Sequence, residues 1–309
     1  MSQPNIVVAG AAGNLGRRVV KALRDRQASV RGLVRQGTAP DRLEPLLEAG
    51  ADIVHVDMSS PRAVAQACAG SSCVASALAG LRDAIVDTQA ALLEGAVTAG
   101  VPRFIPSDYS IDFSRLPPGR NRNLDLRREF HGLLDTASIR ATTIYCGAFT
   151  HLLTGQMPLV LFKFKRVLYW GNADQRMDFT TMDDTAAFTA GAALDPATPR
   201  FLRIAGDQLS ARELTAVASE ATGTKFRLLR AGSLGMLGAL VKVARIVAPG
   251  KGQLYPAWQG MQYMRDMFDG RAKLEPLDND RYPGMRWTTA GEVLAARQRR
   301  WETPDSTRP

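Results

Sequence analysis

The chain has 309 residues, 45% of them hydrophobic and 22% charged, which suits one large α/β domain, or one with a smaller companion, around a well-buried core. No stretch reads as a membrane span: the best candidate, AGSLGMLGALVKVARIVAP at 231–249, carries Lys242 and Arg245 and reads as a helix with an apolar face. The net charge is +9 and 32 of the 39 basic residues are arginine, spread along the chain; this favours an anionic cofactor, and no nucleic acid is expected.

Strand and helix patterns alternate through the first half. NIVVAG (5–10) is a short apolar run ending in glycine, and RRVVKALRD (17–25) has helical periodicity through Val19, Val20 and Leu23. SVRGLVR (29–35), ADIVHVDM (51–58), CVASALAG (73–80), PRFIPS (102–107) and ATTIYCG (141–147) read as further strands. The helices between them are predicted at 42–50, 60–70 and 83–100. Such alternation implies βαβ units and a parallel sheet, with the ligand crevice at the carboxyl ends of the strands. The loops at 10–16, 35–40, 57–61, 76–82, 107–112 and 146–152 are therefore expected to share one crevice.

The second half is less regular. RVLYWGNADQRMDFTTM (166–182) reads as two strands around a turn, 183–196 as a helix, FLRIAG (201–206) as a strand and 211–223 as a helix with Asp207 and Ser210 as candidate caps. The stretch 251–285 gives no clear pattern, and the tail after Trp301 is expected to fray. Cys68, Cys73 and Cys146 fit no zinc or redox spacing, and His55, His131 and His151 are too scattered for a metal site. The expectation is a cytoplasmic protein with no metal and no structural disulfide. MSQPNIVVAG has no basic region before its apolar run and begins a strand rather than a signal peptide.

GAAGNLG (10–16) follows a strand and opens a helix, the context a dinucleotide-binding loop requires. Gly10 permits the tight turn, Gly13 the close approach of a pyrophosphate, and Gly16 the packing of the helix on the sheet; Asn14 and Leu15 belong to the same cradle. The second strand ends LVRQGT, with Arg35 where NAD binders carry an acid. A guanidinium suits a 2′-phosphate, so NADP(H) is the expected cofactor. Asp57 is read either as an acceptor for the adenine amine or as a helix cap, and Met58 and Ala77 complete the expected cofactor contacts.

With GAAGNLG, LVRQ and above all AGVPRFIPSDYSID (99–112) in view, the chain resembles the atypical short-chain dehydrogenases related to isoflavone reductase and the NmrA-like regulators. The likeness extends over residues 5 to about 225, including DDTAAFTAGAALDP and RIAGDQLSARELTAVASEATG. It implies a Rossmann-type doubly wound parallel sheet with a smaller, mostly helical C-terminal substrate domain. The division implied is 1–150 plus about 176–206 for NADP(H), and 151–175 plus 207–309 for the substrate. It also implies hydride transfer to an aromatic, lignan- or flavonoid-like or quinone-like compound. Some NmrA-like members instead bind the dinucleotide as regulators, so a redox sensor with a protein partner is the alternative; a homodimer is also open.

The family's catalytic lysine falls at Arg127, counted back from SIRATTIY into NLDLRREFHG, and no lysine lies between Lys21 and Lys163. Arginine stays protonated at any working pH, so it can steady an oxyanion but is a poor acid or base. His131, one helical turn on, has an intrinsic pKa suited to proton transfer. Ser107 matches the serine at the strand end, and Tyr109 stands where the family has phenylalanine. Arg127, His131, Tyr109 and Ser107 are the candidate catalytic residues, with Tyr109, Phe149 and His151 facing the substrate. Phe162, Phe164, Trp170, Trp258, Met261 and Tyr263 are candidates for an apolar pocket wall.

Overall fold

The computed structural model describes residues 4–302, with side chains through residue 299; the tail beyond lies outside the described residues. Five strands and the first part of a sixth build a parallel sheet: β1 (Asn5–Ala9), β2 (Ser29–Val34), β3 (Asp52–His55), β4 (Cys73–Ser76), β5 (Arg103–Ile105) and β6 (Arg140–Ala141). Their order is β3-β2-β1-β4-β5-β6. Chain order reverses direction between β1 and β4, and at that switch point the strand ends open a crevice.

The strand expected at 141–147 is divided. β6 pairs with β5, whereas β7 (Thr143–Tyr145) pairs in parallel with β12 (Phe201–Arg203). The Thr142 N–H still reaches Phe104 O, and the Thr143 N–H turns to Arg200 O, so one extended segment hands the sheet from one neighbour to the next.

Both faces of this sheet are covered. Along β1, Ile6 and Val8 enter one apolar cluster while Val7 and Ala9 enter another, the alternation of a central strand buried on both sides. The first cluster lies under α1 (Asn14–Arg24) and α6 (Met182–Leu194), with Val19, Val20 and Leu23 facing Ala186, Phe188 and Ala190. The second lies under α3 (Pro61–Cys68), α4 (Gln89–Thr98) and α5 (Arg122–Leu134), filled by Val64, Leu92, Phe104 and Phe130. The helix expected at 83–100 opens as a π-helical stretch, Asp83–Thr88, before α4 begins.

The second half departs further from the sequence reading. β10 (Arg166–Trp170) and β11 (Met177–Thr180) do not pair as a hairpin. β10 joins β9 (Val160–Leu161) and β14 (Arg227–Gly232), whereas β11 joins β8 (Ala148–Phe149) and β13 (Asp207–Leu209). Each strand packs against different neighbours, which local pattern does not reveal. The unplaced stretch contains α9 (Ala257–Asp269). It packs beside α8 (Leu234–Val247) and brings fully buried polar side chains against the start of α5. Asp266 accepts from Arg120 Nε at 2.6 Å and from Asn121 at 3.1 Å, and Gln259 donates to Asn121 at 2.7 Å. Asn121 in turn caps α5.

Ser210 and Asp207 both cap helices, but different ones. Ser210 forms a capping box with Glu213 on α7 (Ala211–Thr222), while Asp207 accepts the N–H of Ala290, where α10 (Ala290–Glu302) begins. Glu213 also pairs with Arg176, and that ion pair with the capping bond pulls its carboxyl from 4.5 down to about 2. A depressed carboxylate contributes stability that is present above its unfolded pKa and is lost as pH falls through the folded value. Glu213→Gln keeps a capping side chain and removes the charge. Its thermal midpoint is expected to change less than that of the parent between pH 4.5 and about 2, as read by circular dichroism; parallel acid profiles would contradict this.

Candidate functional site

The crevice is built first by close approach of backbones. Gly10 has φ +72°, and a Cβ there would lie 2.9 Å from the Ala77 carbonyl oxygen. Gly13 N–H donates to Gly10 O at 2.9 Å, closing the turn. A Cβ on Gly16 would collide with the Gly10 carbonyl and the Ala11 backbone, so only glycine lets α1 start so near β1. The N-cap of α1 is Gly13, with no side-chain cap and no acid in the first turn. Its opening N–H groups and positive dipole end are thus left for an anion. Asn14 instead holds Arg18, which bonds Asp183 of α6 at 2.7 Å, and Leu15 packs into the cluster beneath.

Two guanidiniums flank this cradle. Arg35 is exposed just past β2, its carbonyl tied by Thr38. Arg42, on the first turn of α2 (Pro40–Glu48), donates to Ala12 O at 3.1 Å and so stands over the glycine loop itself. Sequence reading missed Arg42, since only the fold brings it back to residue 12. Asp57 Oδ1 accepts from Ser59 N–H at 2.9 Å and Ser59 Oγ at 2.6 Å, which lowers its carboxyl pKa. It closes a turn rather than capping α3, whose cap is Ser60. Met58 is buried under the sheet and Ala77 forms the wall against Gly10.

At the other end of the crevice, Ser107 and Asp108 gather several elements. Ser107 N–H donates to Gln89 Oε1 at 2.9 Å, and its hydroxyl donates to Leu78 O at 2.6 Å. Its carbonyl accepts Arg127 Nε at 3.1 Å. Arg127 Nη1 donates to Asn123 O at 3.0 Å, while Nη2 has no partner among the described residues. The guanidinium is thus oriented by two bonds with one donor edge free. Gln89 is fully buried and also donates to Ile85 O at 3.1 Å; it follows Asp87 and Thr88 in the chain, so no local sequence signal set it apart.

Arg127 and Ser107 meet, but the other two candidates turn elsewhere. His131 Nε2 lies 2.6 Å from Asp108 Oδ2, with Thr143 Oγ1 at 3.3 Å, and its ring packs on Phe113. Thr143 also bonds Asp108 at 2.9 Å. His131 therefore braces α5 against the sheet with an already occupied nitrogen. Tyr109 is buried in the cluster under α6 rather than beside a ligand, and burial pushes its phenol up. The small space between sheet and helix takes its ring, which corrects the expectation that it lines the crevice.

Phe149 and His151 stack at 6.0 Å just beyond β8, with His151 held down in pKa by burial and by Arg18. Of the suggested pocket wall, Tyr263 on α9 is within electrostatic reach of Arg127: burial raises its phenol pKa while that guanidinium opposes the shift. Trp258 lies between Arg122 and Arg245, Phe162 under Arg297, Trp170 in the core, and Phe164 is exposed. Met261 packs at the edge of the same core. The three cysteines are buried thiols, and burial pushes Cys146, at the end of β7, up to about 12. Among the described residues no three His, Cys, Asp or Glu side chains gather as a metal site.

A doubly wound α/β sheet with a glycine cradle at its switch point defines a Rossmann-type protein. The profile described as the NmrA-like family matches residues 2–244, and the chain belongs to that family. Pinoresinol reductase 1 of Arabidopsis thaliana is 29% identical over 208 residues, covering 62% of this chain and 65% of the relative, just under two thirds of its length. Among solved structures, a binary complex of leucoanthocyanidin reductase with NADPH from Vitis vinifera superposes with a TM-score of 0.80 at 20% identity, covering 95% and 99% of the two chains. Isoflavone reductase gives 0.78 at 20%, covering 96% and 99%. At these identities the structural likeness speaks for the fold.

His131→Ala would leave the Asp108 carboxylate buried with Thr143 as its remaining side-chain partner. The expected loss is about 2–4 kcal/mol in urea unfolding. An unchanged midpoint would show that the pair does not hold α5 in place.

Proposed function

We propose that the protein is an NADPH-dependent reductase of aromatic, conjugated carbonyl or quinone-like compounds. The supporting observation is the Arg127 guanidinium, fixed by Ser107 and Asn123 with Nη2 free. The names of the family relatives, a pinoresinol reductase and a leucoanthocyanidin reductase among them, support the same class. The cradle fits the cofactor: a Cβ at Gly10 or Gly16 would strike backbone and hold α1 away from β1, and α1 begins uncapped. Arg35 and Arg42 would hold the 2′-phosphate and the helix start the pyrophosphate. Asp57, whose Oδ1 is committed to Ser59, would offer Oδ2 to the adenine amine. When bound, NADPH supplies a hydride. In the division proposed, residues 1–150 with 176–206 hold it, and 151–175 with 207–309 hold the acceptor beside Phe149 and His151.

Arg127 then acts as an electrostatic group. Nη2 donates to an acceptor oxygen on which negative charge develops, a role worth roughly 3–4 kcal/mol in comparable oxyanion sites. It has no proton to exchange at working pH. The Ser107 hydroxyl already donates its hydrogen bond to Leu78 O, Tyr109 is buried, and His131 is engaged by Asp108. The final proton is therefore drawn from water, which suits acceptors whose reduced anion is delocalised. The absent lysine is also the one feature that favours a redox sensor, and the same assays separate the two readings.

Arg127→Ala is expected to lower kcat/KM about 100-fold or more with a quinone acceptor while leaving NADPH affinity within about threefold, by stopped-flow and calorimetry. The parent kcat/KM should be flat between about pH 6 and 9, since the guanidinium does not titrate there. Tight NADPH binding with no turnover across a broad aromatic and quinone panel would instead support the sensor. Arg35→Ala with Arg42→Ala should weaken NADPH about 10–100-fold and leave NADH nearly unchanged. Equal loss for both nucleotides would refute the 2′-phosphate assignment.

A further inference from the structure

From Ala221 to Arg265 the sequence contains no acidic residue. Six cations in that stretch, Lys225, Arg227, Arg230, Lys242, Arg245 and Lys251, are exposed, and none forms an ion pair with a described residue. Elsewhere some exposed arginines are matched, Arg82 with Glu129, Arg176 with Glu213, Arg212 with Asp174 and Arg286 with Glu292, while Arg17, Arg26, Arg62 and Arg140 form no ion pair with a described residue. What sets β14, α8 and the loop that follows apart is that they contain no acidic residue of their own.

The same region exposes aliphatic side chains in a continuous stripe. On α8, Leu237 and Val241 are buried beside α9. Met236, Leu240, Val243 and Val247 recur at helical spacing on an adjoining face, and Ile246 lies next to them. Exposure rises toward the tip, where Ile246 is 82% and Val247 77% accessible, and Tyr255 follows past the turn at Gly250. A contiguous exposed apolar face of this kind marks an interaction surface.

The charge decides what covers it. A second copy docked on this face in a two-fold arrangement would set its unpaired cations against the same set, on a chain already at +9. An anionic surface is attracted instead. Exposure is greatest at the C-terminal end of α8, where the side chains are free to enter a lipid surface. At 14 residues α8 is about 21 Å long, too short to cross a bilayer but suited to lying in its plane. Among the described residues no helix is long and apolar enough to span.

We propose that α8 docks on an anionic lipid bilayer, laying Met236, Leu240, Val243, Ile246 and Val247 into the headgroup boundary with Lys242 and Lys251 against the lipid phosphates. Apolar insertion supplies part of the attraction and counter-charge the rest, so both lipid charge and salt set the binding. It departs from the sequence reading, which places no membrane among the partners, and it stands independently of the reductase reading.

Flotation of the full chain with vesicles tests it. Phosphatidylcholine mixed with phosphatidylglycerol is expected to carry the protein, phosphatidylcholine alone is not, and added salt should weaken the association. The double variant Ile246→Asp with Val247→Asp should bind at least about tenfold more weakly while keeping the parent thermal midpoint, because both side chains face solvent. Lys242→Glu with Lys251→Glu should weaken binding to anionic vesicles as well. No flotation with the anionic vesicles overturns the proposal, as does equal flotation of the double aspartate variant, which would reduce the effect to the overall charge. A dimer seen by sedimentation velocity and abolished by the aspartates, without vesicle binding, would assign the face to a second copy.

Discussion

Ser107 and Asp108 leave β5 with their polar groups turned toward neighbours instead of toward a following helix. One backbone N–H goes to Gln89 of α4, one hydroxyl to the loop after β4, and one carbonyl to Arg127 of α5. The Asp108 carboxylate reaches His131 of α5 and Thr143 of β7. Buried polar groups must be paired or their desolvation is uncompensated, so this short turn binds four elements into one arrangement. The free edge of Arg127 inherits its position from that turn.

The start of α5 is held as firmly from the other side. Asn121 caps the helix while bonding Asp266, and Arg120 reaches the same carboxylate. Breaking such a buried pair costs more than its formation contributes, which makes it a registry device between α5 and α9. Through it, the C-terminal part of the chain is fixed against the helix that carries Arg127. A lysine at position 127 would be a flexible point charge able to exchange a proton. The arginine is a planar fork needing two fixed acceptors, and Ser107 and Asn123 supply them. Its surroundings are those of a placed electrostatic group.

The proposed lipid-facing helix packs beside α9, and its Arg245 shares the Trp258 ring with Arg122 of α5. Leu237 and Val241 give α8 its seat, so the exposed stripe can change without disturbing the buried one. A bulky apolar acceptor and a lipid surface would share one physical preference, but the two rest on different residues.

Local sequence was sufficient for the sheet, its parallel sense and the glycine cradle. Those features follow from apolar runs of strand length, helical periodicity and glycine where a Cβ would strike the Gly10 or Ala77 carbonyl. The resemblance carried by RFIPSDYSID correctly pointed to the NmrA-like family. Contacts between residues distant in the chain were beyond its reach. The hairpin expected at 166–182 dissolves because β10 and β11 find better partners in β14 and β13, and α9 was hidden because its polar face is buried against α5. Tyr109 and His131 carry the right chemistry at the right end of the strand. Tertiary packing alone decided that one fills the core and the other clamps a helix, because a side chain's role is set by which groups remain unpaired around it after the chain has closed.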